Sequence, residues 1–339
     1  MCHSAGMALP WSVAWRRAST GPDGFWRREV PSAHFATSTG AVLALGMVRL
    51  LQDVDARLGS GDLIDVIDIG AGDGSLLNGM AALLEGTDLG ARCRWAGIDV
   101  RPRPPGLRTD VAWCEGDALS LAPGSVRGLA MAHEWLDEVP LDVVERDRRE
   151  VDRLVLVEDD GSEILGDPLT PDGEHAAWAA EWWPLARPGD RAEIGTTRDR
   201  AWRVLCAALT SGTVLATDYA HRRGGGGYVG PRRPTLRGYR SGTLVNAVPD
   251  GSCNITAHVA IDSCAAATQT STPANGSIST SIRSQREALA DLGQDGDLPD
   301  PTAQSAEGYA RDLALALEAR ALRSPAGRGS FAWLRTDVS

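Results

Sequence analysis

The chain of 339 residues is 43% hydrophobic and 23% charged, a globular balance that suits one large domain or two small ones. Its net charge of −11 argues against a protein that follows nucleic-acid phosphates, because such proteins usually present a basic face. No apolar run approaches the ~20 residues of a membrane span and no secretory signal is apparent, so we expect a cytoplasmic protein.

The predicted elements in the first half of the chain describe a parallel sheet. Residues 1–40 are rich in Trp and Arg with weak periodicity, which indicates an irregular segment that could act as a lid. Apolar residues near helical spacing predict helices over 41–58 and 74–86. Four short apolar runs predict buried strands, at 63–70, 92–100, 110–119 and 127–135. Strands separated by helix-length segments are typical of βαβ units with a mostly parallel sheet.

The second half of the chain is expected to be more varied. Residues 149–163 alternate in polarity and turn at Asp160-Gly161, which predicts an antiparallel hairpin inserted into the sheet. Residues 222–256, rich in Gly, Pro and Arg, are expected to form loops, and the low-complexity residues 265–281 are expected to form a mobile linker. The other predicted elements are a helix over 198–212, a strand over 213–221, helices near 282–292 and 306–323, and a closing strand in "GSFAWLRTDVS".

Together these elements predict a doubly wound, Rossmann-like α/β fold with added segments at both ends. The N-terminal lid-like segment spans 1–40, and the core with its inserted hairpin spans 41–264. The linker 265–281 then leads to C-terminal helices and a closing strand over 282–339, which we assign to the same domain as the core.

A glycine-rich turn follows the first predicted strand. Gly70, Gly72 and Gly74 stand between strand and helix in the pattern G-x-G-x-G, directly after the strand that contains Asp68. Glycines at such a turn allow a tight bend and let a ligand touch the backbone. The dinucleotide fingerprint G-x-G-x-x-G would need a glycine in place of Ser75, so the turn alone does not identify the ligand.

Acidic residues follow the strands at this edge of the sheet. Asp99 ends the second strand, where a carboxylate can accept both ribose hydroxyls of an adenosine, and Asp117 ends the third, where an acid can accept from the adenine amino group. With Asp68 they give a negative crevice that suits an adenosine carrying a cationic sulfonium and repels a pyrophosphate. We therefore predict S-adenosyl-L-methionine as the cofactor, although each acid taken singly could be a turn residue, a helix cap or a loop acid. The predicted cofactor site also includes Val100, Gly116 and Ala118.

The stretch "AMAHEWLDEVP" ends an apolar strand in three acids within five residues. If a helical turn begins at Glu134, the i,i+3 spacing places the carboxylates of Glu134 and Asp137 on one side, where they can grip a planar guanidinium. Carboxylates there could also localise the guanidinium charge and accept the proton that must leave. The alternative is that Glu134 caps a helix and Asp137 is exposed. Glu138 is expected at the surface.

Several segments resemble the MidA-like methyltransferases, bacterial relatives of the mitochondrial complex I assembly factor that methylates a protein arginine. The resemblance spans most of residues 25–335 and is carried by "DVIDIGAGDGSLL", "AHEWLDEVPLDVVE", "GDRAEIG", "TVLATDYAH", "PTLRGYRSG", "PDGSCNITAHVAID" and "RSQREALADLG". It implies a class I methyltransferase fold, S-adenosyl-L-methionine as donor, and Glu134 and Asp137 as substrate-side acids. Two positions depart from the family pattern. His133 stands where Asn is usual and joins the candidate catalytic residues, and Asn254 stands where Asp is usual.

Other functions fit the same donor site. One is a small-molecule methyltransferase, and another is a non-catalytic assembly module that binds the nucleoside. A nicotinamide dehydrogenase is a weaker alternative, which predicts dinucleotide binding. We expect a protein substrate and neither a nucleic-acid nor a membrane partner, and the sequence leaves the oligomeric state open.

The remaining candidate side chains also have structural explanations. His221 could orient a substrate or act as a base near pH 7, and Tyr219 could stack or donate a hydrogen bond, although both could be packed strand-end residues. His258 is expected to be structural, and His34 could belong to the lid. The histidines share no close ligand spacing and the six cysteines form no C-x-x-C pair, so no metal site is expected.

Overall fold

The computed structural model describes residues 7–28, 40–59, 61–223, 234–269, 277–302 and 305–339. Its strands are β1 (Leu9–Pro10), β2 (Ile64–Ile69), β3 (Cys93–Asp99), β4 (Ala112–Glu115), β5 (Val126–His133), β6 (Asp142–Arg146), β7 (Asp152–Val157), β8 (Glu163–Pro168), β9 (Arg191–Ile194), β10 (Leu209–Asp218), β11 (Ala220–His221), β12 (Arg237–Arg240), β13 (Thr243–Val245), β14 (Asn254–Thr256), β15 (Val259–Ala260), β16 (Ile278–Ser284) and β17 (Ala332–Val338). Its α-helices are α1 (Trp11–Thr20), α2 (Phe25–Arg28), α3 (Ala41–Leu58), α4 (Ser75–Leu83), α5 (Asp88–Arg92), α6 (Glu174–Trp182), α7 (Thr196–Ala208), α8 (Ile261–Gln269), α9 (Gln285–Asp291) and α10 (Ala306–Leu322). No helix in these ranges is long and apolar enough to cross a membrane.

The chain forms two compact units, each assembled from separate stretches of sequence. The parallel unit comprises Thr37–Trp135, Val204–Tyr219 and Ser271–Ser339. The antiparallel unit comprises Met1–Ala36, Leu136–Arg203 and Ala220–Thr270. The chain therefore enters each unit more than once, whereas the core predicted over 41–264 is one continuous stretch.

The parallel unit is built on a seven-stranded sheet in the order β16-β17-β10-β5-β2-β3-β4. The strands from β10 to β4 are parallel, and β17 is antiparallel to both of its neighbours. The chain runs outward from β2 to β4 and then returns to place β5 on the other side of β2. This reversal is the position at which open α/β sheets bind ligands, beyond the carboxyl ends of the strands. The mostly parallel sheet predicted from the sequence is thereby confirmed.

The core of the parallel unit holds the ends of these strands in place. Leu51 of α3, Val66 of β2, Leu77 of α4 and Leu129 of β5 are completely buried in one apolar cluster. Burial of each such side chain contributes roughly 1.5–3 kcal/mol to folding. All six residues of β2 are buried, as expected for a parallel strand that is covered on both faces. The loops that follow β2 and β5 therefore start from a rigid frame.

The antiparallel unit contains a five-stranded sheet in which β1, β7, β6 and β9 are neighbours in that order and β8 pairs with β7. The hairpin predicted over 149–163 is β7 with β8, but it pairs within this sheet and not with the parallel sheet. Local alternation predicts a hairpin and does not reveal its long-range partners, here β1 and β6. Two smaller sheets join β13-β12-β14 and β11-β15.

Three segments differ from the sequence expectation. The N-terminal segment is helical in α1 and α2, because Trp11 and Trp15, one helical turn apart, are both buried in the core of the antiparallel unit. Part of the expected loop 222–256 forms β12, β13 and β14, which satisfy one another's backbone groups. The predicted linker 265–281 begins inside α8 and ends inside β16, and its residues 270–276 lie outside the described residues.

Candidate functional site

The glycine turn lies between β2 and α4 in the parallel unit. Gly70, Gly72 and Gly74 have φ angles of +67°, +63° and +73°, a left-handed conformation that glycine adopts without steric cost. A Cβ atom at Gly70 would lie 2.7 Å from Cδ1 of Trp135, closer than two such atoms can approach. Position 70 therefore requires glycine for two reasons: its backbone has a positive φ, and the Trp135 indole packs against it.

Asp99 ends β3 with its carboxylate against this turn. Its Oδ2 atom accepts a hydrogen bond of 2.9 Å from the backbone N–H of Gly72, and only 7% of Asp99 is exposed. The Arg101 guanidinium binds the same carboxylate at two points, with Nε 3.0 Å from Oδ1 and Nη2 3.0 Å from Oδ2. The structure thus brings Asp99 and the glycine turn together, with an arginine bound to Asp99 that the sequence analysis did not single out.

The residues after β3 and β4 join the same edge of the sheet. The Gly116 N–H donates to the Asp99 carbonyl at 2.8 Å, which ties the end of β4 to the end of β3. Asp117 is exposed and caps a short 3₁₀ helix (Ala118–Ser120) by accepting from the N–H of Leu119 at 2.9 Å. Ala118 is buried, and Val100 is half-buried after β3. The predicted adenosine-side residues therefore adjoin one another, and Asp117 also has a structural role.

Asp68 lies within β2, one residue before the strand ends. It is 4% exposed. Burial, together with the smaller effects of the nearby charges of Asp99 and Asp73, raises the pKa of the Asp68 carboxyl to about 8. At pH 7 Asp68 is therefore mostly protonated, so the crevice carries less negative charge than a count of its acids suggests. A carboxyl with so perturbed a pKa beside a glycine turn is typical of a functional site.

The end of β5 lies beside the glycine turn, because β2 and β5 pair in parallel with Ile69 opposite Ala132. Glu134 follows β5 with a φ of +50°, and its N–H donates to the Thr217 carbonyl of β10 at 2.8 Å. Its Oε1 atom lies 3.5 Å from Nε2 of His133. The condition that a helical turn begins at Glu134 is not met, because Glu134 has a left-handed backbone and the short helix begins at Leu136.

Asp137 belongs to the antiparallel unit and lies in the 3₁₀ helix Leu136–Glu138. Asp137 is 4% exposed, which excludes the alternative of an exposed residue. Its carbonyl accepts from Nη2 of Arg198 at 2.6 Å and from the N–H of Ala257 at 3.1 Å. Glu138, expected at the surface, is half-buried and accepts from Nδ2 of Asn254 at 2.8 Å. Asn254 thus supplies a hydrogen-bond donor to Glu138, where a carboxylate at position 254 would repel it.

Of the other described candidates, His221 is a buried side chain, whereas Tyr219 and His258 are exposed. His221 is 7% exposed with its ring edge-on to Trp183 at 4.8 Å, and burial lowers its pKa to about 3, so it is not a base near pH 7. Desolvation of the ring and the nearby charges of Arg198 and Arg237 lower the pKa of His258, although the residue as a whole is exposed. Tyr219 packs on Phe331 at 4.1 Å between ring centres. His34 lies outside the described residues. Across the described ranges, no group of three His, Cys, Asp or Glu side chains could hold a metal ion.

Arg101 and Trp135 also lie at this edge of the sheet, and neither was predicted as a site residue. Arg101 follows Asp99 by two residues, and that spacing was a usable signal for an ion pair at the strand end. Trp135 directly follows Glu134, and only the packing shows that its indole covers Gly70.

A family model and two solved structures are similar to this chain. Residues 42–277 match the model of a family described as "Putative S-adenosyl-L-methionine-dependent methyltransferase". Two solved structures from Burkholderia thailandensis are similar over 97% of this chain at 22% identity. One is bound to S-adenosyl-homocysteine, with a TM-score of 0.74 and 88% of its chain covered. The other is a native structure of an uncharacterized protein of the same superfamily, with a TM-score of 0.76 and 87% of its chain covered.

At 22% identity, these similarities show that the chain shares the fold of the two structures. A search of the curated proteins finds no match to the chain. The family match and the shared fold confirm two predictions, the Rossmann-like α/β fold of class I methyltransferases and S-adenosyl-L-methionine as the cofactor.

Proposed function

Because the chain belongs to this family of S-adenosyl-L-methionine-dependent methyltransferases, we propose that it methylates an arginine side chain of a protein, as its resemblance to the MidA-like methyltransferases implies. The observation that carries the proposal is the strained conformation of Glu134 at the carboxyl end of β5. A non-glycine residue with positive φ costs about 1–3 kcal/mol, and such residues cluster at functional sites. Glu134 adopts this conformation beside the glycine turn despite that cost, and this supports a catalytic role for the side chain.

The residues of the turn fit the donor. Three glycines with positive φ keep side chains away from the backbone between β2 and α4. We assign Asp99 to the ribose hydroxyls and Asp117 to the adenine amino group, with Gly116 and the half-buried Val100 beside them. When bound, S-adenosyl-L-methionine supplies a methyl group on a positively charged sulfonium. The largely protonated Asp68 can ionise in response to that positive charge, because an opposite charge lowers a carboxyl pKa.

On the acceptor side, the chemistry needs an oriented guanidinium that can lose a proton. Guanidinium is charged at all ordinary pH values and presents its donors in a rigid fork that matches a carboxylate. Glu134 would bind this fork and accept the proton released as the nitrogen gains its methyl group. His133, 3.5 Å from the Glu134 carboxylate, would orient that carboxylate or share the proton. Asp137 lies in the antiparallel unit, and its role as a substrate-side acid stays a prediction from the resemblance. The net charge of −11 favours a basic protein segment as the partner.

The test is transfer of a labelled methyl group from S-adenosyl-L-methionine to proteins of a cell lysate, followed by hydrolysis to identify the labelled amino acid. The proposal predicts label in methylarginine. Glu134→Gln should lower transfer by about 10²–10⁴-fold, the usual contribution of a catalytic base, while S-adenosyl-homocysteine affinity is retained. Glu85→Gln, which removes an exposed carboxylate beyond the end of α4, is the matched control and should leave transfer unchanged.

Three results would contradict the proposal. Label confined to a small molecule would favour a small-molecule methyltransferase on the same donor site. Donor binding without transfer to any acceptor would favour a non-catalytic assembly module. Full activity of Glu134→Gln would remove Glu134 from the mechanism.

A further inference from the structure

The Asp99 carboxylate has no acceptor site left for a ligand. An ionised carboxylate offers about four lone-pair positions on its two oxygens. Oδ1 accepts from the backbone N–H of Arg101 at 2.9 Å and from Nε of Arg101 at 3.0 Å. Oδ2 accepts from the N–H of Gly72 at 2.9 Å and from Nη2 of Arg101 at 3.0 Å. All four positions are therefore filled, two of them by the guanidinium.

We propose that the Arg101 side chain is an internal competitor of the donor ribose and must leave Asp99 before the donor can bind. The inference rests on the assignment of Asp99 to the ribose under the proposed function. Two ribose hydroxyls need two acceptor positions, and the two that a side chain can vacate are those held by Nε and Nη2 of Arg101. The two backbone donors, from Gly72 and Arg101, hold the carboxylate in place when the guanidinium departs.

The surroundings of Arg101 confine this movement to its side chain. The Arg101 carbonyl accepts from Nε1 of Trp113 at 3.0 Å, and the Arg101 N–H is bound to Asp99, so the backbone is held on both sides. The side chain is 13% exposed, which gives the guanidinium a path to solvent. Its Nη2 atom would lie 3.4 Å from a Cβ atom at Gly72, so the guanidinium also covers the turn that a donor must approach.

A competitor of this kind lowers the apparent affinity for the donor. The dissociation constant measured for the ligand is the intrinsic one divided by the fraction of molecules in which Asp99 is available. A two-point pair between arginine and carboxylate is among the stronger hydrogen-bonded pairs, so removing it should tighten binding by about tenfold. Salt weakens a partly exposed ion pair, so rising ionic strength should tighten binding to the wild type and leave a variant without the arginine little changed.

The experiment is calorimetric titration of S-adenosyl-homocysteine into the full chain and four variants, at low and high salt. Arg101→Met should bind about tenfold more tightly than the wild type and lose the salt dependence. Arg101→Lys keeps the charge and loses the two-point fork, so its affinity should be intermediate. Arg94→Met is the matched control, because it breaks an exposed arginine pair, with Asp65, at the start of β3. Its affinity should equal that of the wild type.

Asp99→Asn separates the inference from the function on which it rests. Loss of binding in Asp99→Asn, together with tighter binding in Arg101→Met, supports both. If Asp99→Asn loses binding but Arg101→Met binds no more tightly than the wild type, Arg101 does not compete with the ligand and the donor site at Asp99 stands. Weaker binding in Arg101→Met would mean that Arg101 helps to hold the ligand. Undiminished binding in Asp99→Asn overturns the ribose assignment and the competition with it. Thermal unfolding of each variant identifies a loss that comes from misfolding, and Arg101→Gln replaces Arg101→Met in that case.

Discussion

Replacement of Asp68 by Asn tests the electrostatics of the donor crevice without changing the shape of the side chain. Burial first, and then the charges of Asp99 and Asp73, raise the Asp68 pKa from 3.8 to about 8. At about 1.36 kcal/mol per unit, a shift of roughly four units disfavours the ionised form in the folded chain by about 6 kcal/mol. Because the folded pKa is the higher one, the wild type is most stable below pH 3.8 with respect to this group and loses stability as the pH rises to 8.

The amide that replaces the carboxyl in Asp68→Asn cannot ionise, so the variant should escape this loss. Integration over the titration gives a penalty in the wild type of about 1.5 kcal/mol at pH 5 and about 5 kcal/mol at pH 8. Urea unfolding should therefore show Asp68→Asn gaining about 3–4 kcal/mol on the wild type between these two pH values. Asp53→Asn, at an exposed position of α3, is the control and should stay within about 0.5 kcal/mol of the wild type. Stability curves of Asp68→Asn and wild type that run parallel from pH 5 to pH 8 would refute the reasoning.

Three further variants probe contacts within the two units, one in the parallel unit and two in the antiparallel unit. Gly70→Ala places a Cβ atom 2.7 Å from an indole carbon at a φ of +67°, so unfolding experiments should show a loss of at least about 1–3 kcal/mol. His175 donates a hydrogen bond from Nε2 to the Asp142 carboxylate, and this bond raises the pKa of His175. The raised pKa supplies stability below pH 6.5 that is lost as the pH rises through the folded pKa. His175→Gln should therefore destabilise the protein by on the order of 1 kcal/mol at pH 5.5 and by less at pH 9. Asn254→Asp would put a second buried carboxylate 2.8 Å from Glu138, and a loss on the order of 3 kcal/mol at pH 8 should shrink at pH 5 as the pair takes up a proton. A difference in melting temperature between variant and wild type that does not change with pH would contradict the last two predictions.

The parallel sheet was predictable because its signals are local. Strands predicted at 63–70 and 92–100 are β2 and β3, and the helix predicted over 41–58 is α3. Buried parallel strands are short continuous apolar runs, and the helices between them carry their own periodicity, so each element can be recognised from neighbouring residues. The glycine turn was predictable for the same reason, because a backbone with positive φ, as at Gly70, favours glycine and is therefore visible in the sequence.

The antiparallel unit and the charge state of the site depend on contacts that are distant in the sequence. The pairing of β6 with β9 joins residues nearly fifty positions apart, and no local pattern specifies it. The acid at position 68 was expected to be ionised, yet its pKa depends on burial and on Asp99, which only the folded chain brings together. The same holds for Glu134, whose left-handed backbone follows from its place between β5 and β10 and not from its residue type.

The central claim is that the end of β3 beside the glycine turn is the nucleoside site of a methyl donor. The most direct measurement is the distance between the Asp99 carboxylate oxygens and the ribose hydroxyls in crystals grown with S-adenosyl-homocysteine. We expect both hydroxyls within hydrogen-bonding distance of Asp99 and the Arg101 guanidinium displaced from it. A nucleoside bound elsewhere, with Arg101 still paired to Asp99, would contradict the account.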